Sequence, residues 1–347
     1  MTAEEPSKQP RILRISDTYM KTYHLVMPRH ANPLGVLFGG YMMDWIVEIG
    51  TLNTMRLSRR NTVLGFIDNL FFINPVRIGD VLIYRSWIVR VRRTSMEVLI
   101  EVLSRNISGE YYISSAAKAI YVALDHENKP VDTGFRVYSE NDWEKDLFAR
   151  FSKWREDVDK LIEKEDLLSG EPEYEPKYSL TSIRRVSPED VVSGDIMYAG
   201  NLLQYIDEIS GILASRYAGE AVVTASVDQI IFKKAIKLGD VIKLRSSLTR
   251  TWKSSMEIKT VVSRLAEDKE EKLVEAYSTF VKIGSEGKPE PLSPYLPLTP
   301  EEYKEWVRAE ERRMKRMDRI EKLRIFRNKR IEDIDLEDPR PLTLEII

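Results

Sequence analysis

The sequence predicts an α+β protein made of two copies of one unit, each a long buried helix wrapped by an antiparallel sheet. Three observations lead there. Blocks of residues recur at a constant spacing of 160 positions. Each copy contains a 20-residue segment that is apolar nearly all round. Each such segment is followed by alternating, β-branched runs.

The repeat is read directly. Phe38-Gly39-Gly40 and the stretch Asp44-Trp45-Ile46-Val47-Glu48-Ile49-Gly50 return as Tyr198-Ala199-Gly200 and Gln204-Tyr205-Ile206-Asp207-Glu208-Ile209-Ser210. The same offset carries Asp68 to Phe72 onto Asp228 to Phe232, Gly79-Asp80 onto Gly239-Asp240, and Ser95-Met96-Glu97 onto Ser255-Met256-Glu257. Matched blocks in one order at one offset mark a tandem duplication.

Each element then follows. The Gly-Gly or Ala-Gly pair opens a helix over 39–58 in the first copy and 199–217 in the second. The side chains Met42, Met43, Trp45, Ile46, Val47 and Ile49 leave no polar face, so burial on most sides is expected. Strands are expected at 63–72, 81–92, 95–104 and 111–123, then at 222–232, 241–251, 255–264 and 272–283. Between the copies, 142–168 is charged and periodic and reads as linker helix, ending in the turn-rich 169–176. A second charged helix is expected over 300–334. Its segment 304–330 carries 12 Lys+Arg against 5 Asp+Glu, which reads as a solvated helix lying on the surface, with attraction of an anionic ligand as the alternative. The domain division is 15–135, a linker at 136–177, 178–290, and a tail at 291–347. A length of 347 residues allows two domains, each large enough for a core of its own.

Composition removes whole classes of chemistry. There is no cysteine, which excludes disulfides, thiolate nucleophiles and thiolate metal sites, and only His24, His30 and His126 remain for imidazole chemistry. No metal and no cofactor are expected. A net charge of −2 argues against nucleic acid as a partner. No apolar run is long enough for a membrane span and the N-terminus lacks a signal pattern, so the expected location is cytoplasmic.

The segment His30-Ala31-Asn32-Pro33-Leu34-Gly35-Val36-Leu37-Phe38-Gly39-Gly40 resembles the Asn-x-x-Gly-x-x-(His/Phe)-Gly-Gly turn of the hotdog-fold acyl-CoA thioesterases, in the branch with two hotdog domains per chain. Residues 203–211 resemble that family's helical Met-Asp-Glu segment, and the Gly-Asp turns and basic-Ser/Thr-Ser loops match as well. The resemblance covers 20–125 and 180–284. It implies a double hotdog fold, hydrolysis of acyl-CoA to a carboxylic acid and coenzyme A, and a homo-oligomer, a trimer of double hotdogs. It also implies sites that combine an asparagine near the helix-opening turn of one copy with an acid on the central helix of the other.

The family asparagine falls on Asn32 in the first copy and Val192 in the second. The family acid falls on Val47 in the first and Asp207 in the second. One complementary pair survives, Asn32 with Asp207, while Val192 and Val47 can do no acid–base work. Asp207 is the candidate base or nucleophile, the two roles being left open. The N–H groups of Gly39 or Gly40 are candidate donors to the thioester carbonyl. Asn32 could donate to that carbonyl or orient water, or be a turn residue only. Candidate coenzyme A contacts are Arg92, Arg93, Thr94 and Ser95 in one copy and Lys253, Ser254 and Ser255 in the other, with no means of choosing between the loops. Asp44 is expected to be a surface or capping residue, His30 a packing residue, and Asp80 and Asp240 turn formers. The competing functions are a noncatalytic acyl-CoA binder or regulator, and a hotdog dehydratase, which needs a histidine beside the acid.

Overall fold

The structure is a computed structural model that describes residues 10–167, 176–192, 194–266 and 269–344. Its elements run in two matching series. The first comprises β1 (Arg11–Arg14), β2 (Met20–Leu25), α1 (Gly39–Ser58), β3 (Asn61–Ile67), β4 (Leu70–Phe71), β5 (Val81–Val91), β6 (Ser95–Arg105), β7 (Tyr111–Leu124), β8 (Phe135–Tyr138) and α2 (Asp142–Leu167). The second comprises β9 (Ser179–Arg185), α3 (Ala199–Ala218), β10 (Val222–Val227), β11 (Ile230–Ile231), β12 (Val241–Thr251), β13 (Ser255–Ala266), β14 (Lys269–Lys282) and α4 (Pro300–Leu323). The turn-rich 169–175 lies outside the described residues.

The expected central helices and strands are present, with three differences. The runs 63–72 and 222–232 each break in two, because the chain crosses from one sheet to the other. One six-stranded sheet is ordered β11-β3-β7-β6-β5-β2 and the other β4-β10-β14-β13-β12-β9, so each sheet takes one short strand from the opposite repeat. Leu70 pairs with Val227 and Ile67 with Ile230. Leu70 becomes Ile230 on adding 160 and Val227 becomes Ile67 on subtracting it, so each pair maps onto the other and the two repeats are related by a pseudo-two-fold axis. The second difference is at the edges, where β2 and β9 pair antiparallel with β5 and β12. The third is the C-terminal helix, which ends at Leu323 rather than continuing to 334.

Helices α1 and α3 pack against each other, and one apolar cluster takes in Met43, Ile46 and Val47 of α1, Leu203 and Ile206 of α3, and the inner faces of both sheets. The expectation of a separate core for each domain is therefore corrected: both central helices and the inner faces of both sheets share one apolar cluster, because the antiparallel pairing of α1 with α3 buries their facing sides against each other.

The outer faces are covered unequally. Helix α2 lies on the first sheet, where Leu147, Phe151, Trp154 and Val158 pack on Phe66, Trp87, Leu99 and Ile120. Helix α4 lies on the second sheet and is not a solvated helix. Arg312 binds the fully buried Glu257 at 2.7 Å, Arg316 binds Asp228 at 2.8 Å and Glu257 at 2.7 Å, and Arg319 reaches Asp68 of the first repeat at 3.0 Å. Its cations complete buried carboxylates, which are costly to leave unpaired. The tail beyond α4 returns to the first sheet. Arg85 donates to the carbonyls of Asp338 and Arg340, Trp87 Nε1 to that of Pro339, and Glu101 accepts from Thr343. No helix among the described residues is long and apolar enough to cross a membrane.

Trp154 stands on Phe66 with ring centroids 5.9 Å apart and donates to Asp68 at 2.9 Å. Replacing it with alanine should cost about 3–5 kcal/mol of stability, the range for a buried tryptophan, measured by denaturant unfolding. A loss below 1 kcal/mol would show that α2 is not needed to close the first sheet.

Candidate active site

Asp207 lies on the buried face of α3, about two turns from its start at Ala199, and is inaccessible to solvent. Its carboxylate meets the N-terminus of α1 from the other repeat. Thr224 Oγ1, on β10, donates to Oδ1 at 3.0 Å and lies 3.3 Å from Oδ2, and the N–H of Gly40 also donates to the carboxylate. A Cβ on Gly39 would stand 2.8 Å from both Asp207 Oδ2 and Thr224 Oγ1, so only glycine allows this approach. Burial outweighs these donors and pushes the Asp207 carboxyl up to about 7 from its usual value near 3.8.

Thr224 was not singled out from the sequence, yet the signal was present. The 160 offset places it on Leu64, so the threonine, like the aspartate, exists in one copy only. The shape of the strand delivers it: a bulge between Thr224 and Ser226 shifts the register of β10 against β14, and the same bulge falls between Leu64 and Phe66 in β3. Around the axis, Asp207 and Thr224 meet in one place, and the equivalent positions are Val47 and Leu64.

Asn32 sits in the turn that leads to Gly39. Its Oδ1 accepts from the backbone N–H of Leu34 at 3.0 Å and Val36 at 3.2 Å. The acceptor is thereby committed to the turn, and only the Nδ2 group remains to serve a ligand. Asn32 makes no hydrogen bond to Asp207.

Asp44 is not the surface or capping residue expected. It lies across the axis from its own counterpart, with Gln204 Nε2 donating to Oδ2 at 2.8 Å, and its carboxylate abuts Gly200 at the start of α3. Burial pushes it up to about 6. Its partner is the amide that replaced it in the duplicate, which makes it a helix–helix contact. His30 is buried, accepts from the Met27 N–H and packs edge-on against Trp45. Asp80 and Asp240 accept from the N–H groups of Arg77 and Lys237, closing their turns.

The two basic loops differ. Arg92 is held by Asp159 of α2 at 2.9 Å, Arg93 is exposed, Thr94 accepts from the Ala123 N–H through its carbonyl, and Ser95 is buried. In the second loop Lys253 is exposed, Ser254 accepts from the Lys282 N–H through its carbonyl, and Ser255 lines a cavity of about 270 Å³. Among the described residues no cluster of histidines and carboxylates could hold a metal ion.

Because the Asp207 carboxyl holds its proton more tightly folded than unfolded, its own contribution to wild-type stability falls as pH rises from about 4 to 7 and then levels off. Asp207→Asn keeps an acceptor for Thr224 and Gly40 but cannot ionise. Its stability relative to wild type should therefore grow across that window, by up to about 4 kcal/mol at pH 8. Thermal melts at pH 4.5 and pH 8 test this; a difference independent of pH would mean the carboxyl titrates normally.

A family model described as the thioesterase superfamily matches residues 34–108 and again 194–270, one segment per repeat. The chain is 37% identical over 120 residues to a Bacillus subtilis protein named uncharacterized acyl-CoA thioester hydrolase YkhA, covering 34% of this chain and 70% of that one. It is 29% identical over 303 residues to the cytosolic acyl coenzyme A thioester hydrolase of Rattus norvegicus, covering 81% and 78%. The human protein of that name is 28% identical over 306 residues, covering 82% and 79%. In structure, a putative oleoyl thioesterase from Lactobacillus plantarum is similar in fold, with a TM-score of 0.52 at 8% identity over 77% of this chain and 97% of that one. The doubled match, the shared sheets and the paired central helices agree: the chain belongs to the thioesterase superfamily, as an acyl-CoA thioester hydrolase family member with tandem hotdog repeats.

Proposed function

We propose that the protein hydrolyses acyl-CoA thioesters to a carboxylic acid and coenzyme A at one site per chain. The observation that carries the reading is the buried Asp207 carboxyl, held near neutrality against the helix N-terminus of the opposite repeat. In its ionised form Asp207 takes a proton from water as the water oxygen attacks the thioester carbonyl carbon. The N–H of Gly40 is given to Asp207, which leaves the N–H of Gly39, at the positive end of α1, for the developing oxyanion. Asn32 Nδ2 donates to the carbonyl or the water. Collapse of the tetrahedral intermediate breaks the C–S bond, and the proton on Asp207 passes to the departing thiolate. Both Asp207 oxygens lie within reach of the Thr224 hydroxyl, which favours the role of base over direct attack.

A binding or regulatory protein has no use for a desolvated carboxylate that lowers its stability at neutral pH, and a dehydratase lacks its histidine, since none hydrogen-bonds to Asp207. The repeats form the units 15–135 and 178–290 with a shared core, joined by 136–177 and followed by the tail 291–347. The exposed apolar residues Tyr23, Leu52 and Ile78 have exposed apolar counterparts at Ile183, Ile212 and Leu238, each 160 positions on. Such a paired patch suits assembly of chains into a trimer. We place the protein in the cytoplasm, in keeping with the names of its relatives.

Thiol release from acyl-CoA, read with a thiol-reactive dye against a protein that has no cysteine, is the direct assay. Asp207→Ala and Thr224→Ala should each lower kcat by at least about 100-fold and Asn32→Ala by about 10-fold or more. Val47→Ala at the mirror position should turn over near the wild-type rate. Equal losses at Val47 and Asp207 would sink the assignment of one live site. The kcat/KM of the wild type should rise with pH through an apparent value near 7, where Asp207 ionises.

A further inference from the structure

The cavity of about 270 Å³ lies between α4 and the seam of the second sheet. Its floor begins at Ala225 and Ser226, immediately after Thr224, on the outer side of the same strand. The lining is mostly apolar, with Phe72, Val281 and Ile320 among it, but cations cluster around it: Arg313, Arg316, Arg324 and Arg327 all contribute.

Two residues of its lining carry buried polar atoms without hydrogen-bond partners. Arg316 is 4% exposed; its Nη1 binds Asp228 and Glu257, while its Nη2 makes no hydrogen bond. Thr279 Oγ1 is also without one. Buried donors in that state call for a ligand with acceptor oxygens.

The mirror position decides what the cavity is for. By the repeat, Ser226 corresponds to Phe66, and Thr279 corresponds to Ile120, each lying opposite the buried glutamate in its sheet (Glu257 and Glu97). Phe66 and Ile120 are packed shut under Trp154 and Phe151 of α2. So the outer face of the sheet carries a cavity behind the strand of Thr224 and is packed shut behind the strand of Leu64. The cavity accompanies Asp207 and Thr224 rather than Val47 and Leu64.

We propose that α4 and the segment after it, which lie outside both repeats, hold the phosphate-bearing end of coenzyme A. The apolar channel takes the pantetheine arm, and the exposed Arg324 and Arg327 with Arg313 meet the phosphates. This rests on the thioesterase reading given above and assigns to the second basic loop, through Ser255, the side of the molecule on which the nucleotide lies. Arginine is suited to phosphate by its fork of donors.

The test compares one acyl group on two carriers, coenzyme A and N-acetylcysteamine, the second lacking phosphates and nucleotide. In the Arg324→Ala/Arg327→Ala double variant, both sites being exposed, KM for acyl-CoA should rise at least tenfold more than KM for the N-acetylcysteamine thioester, with kcat on acyl-CoA little altered. Lys322→Ala, which removes one positive charge beside the cavity without touching its lining, should not separate the two substrates. Ser226→Phe, which copies the closed mirror position, should abolish the wild-type preference for acyl-CoA. Equal effects of the double variant on both carriers, or none on acyl-CoA, would overturn the proposal. If the wild type releases no thiol from acyl-CoA at all, it is the thioesterase reading that fails.

Discussion

The structure depends on the contact of α1 with α3 across the pseudo-two-fold axis. Each helix keeps only a narrow stripe in water, with Leu52 and Arg56 on α1 and Glu208 and Ile212 on α3, and buries the rest, part of it against the other helix. Each helix is therefore the missing wall of the other repeat's core. The exchange of β4 and β11 between the sheets follows from the same need, since it closes the seam over the two helices. Residues that meet at the axis, such as Asp44 with Gln204 and Asn69 with Gln229, are the same position meeting itself.

That contact also makes the site. A helix N-terminus offers free N–H donors but no base, and the acid on the same helix lies two turns away, facing the neighbour. Only the antiparallel crossing brings the donors of one copy to the acid of the other. A symmetric pair would hold two such sites. Here the second is filled by Val47 and Leu64, which pack the same space without the cost of desolvating a carboxylate. Asp207 is buried at a disadvantage to stability and Val47 at an advantage, so the position without a carboxylate adds to the core that holds the one with it.

Much of this was legible in the sequence because duplication turns one chain into an alignment of two. The helices and the long strands could be read twice, by comparing residue i with residue i + 160, while the pairing of Asn32 with Asp207 is what the family resemblance implies once it is laid over the repeat. Thr224 against Leu64 was available by the same comparison and was overlooked, because a threonine in a β-branched run looks like ordinary strand. The edge strands β2 and β9 were not legible: one side of each faces solvent, and their mixed polar composition gives no alternation to read. Nor was the role of α4. Its excess of positive charge is visible locally, but the carboxylates it serves lie 55, 88 and 251 residues away in sequence.

The tail that returns from α4 to the first sheet ties segments far apart in sequence into one buried charge cluster. Arg85 and Glu101 form an ion pair inside that sheet, and the backbone and side chain that satisfy most of their remaining groups belong to residues 338–343. A break in the chain between α4 and residue 338 would therefore strip a buried pair of its partners although neither member of the pair had been touched.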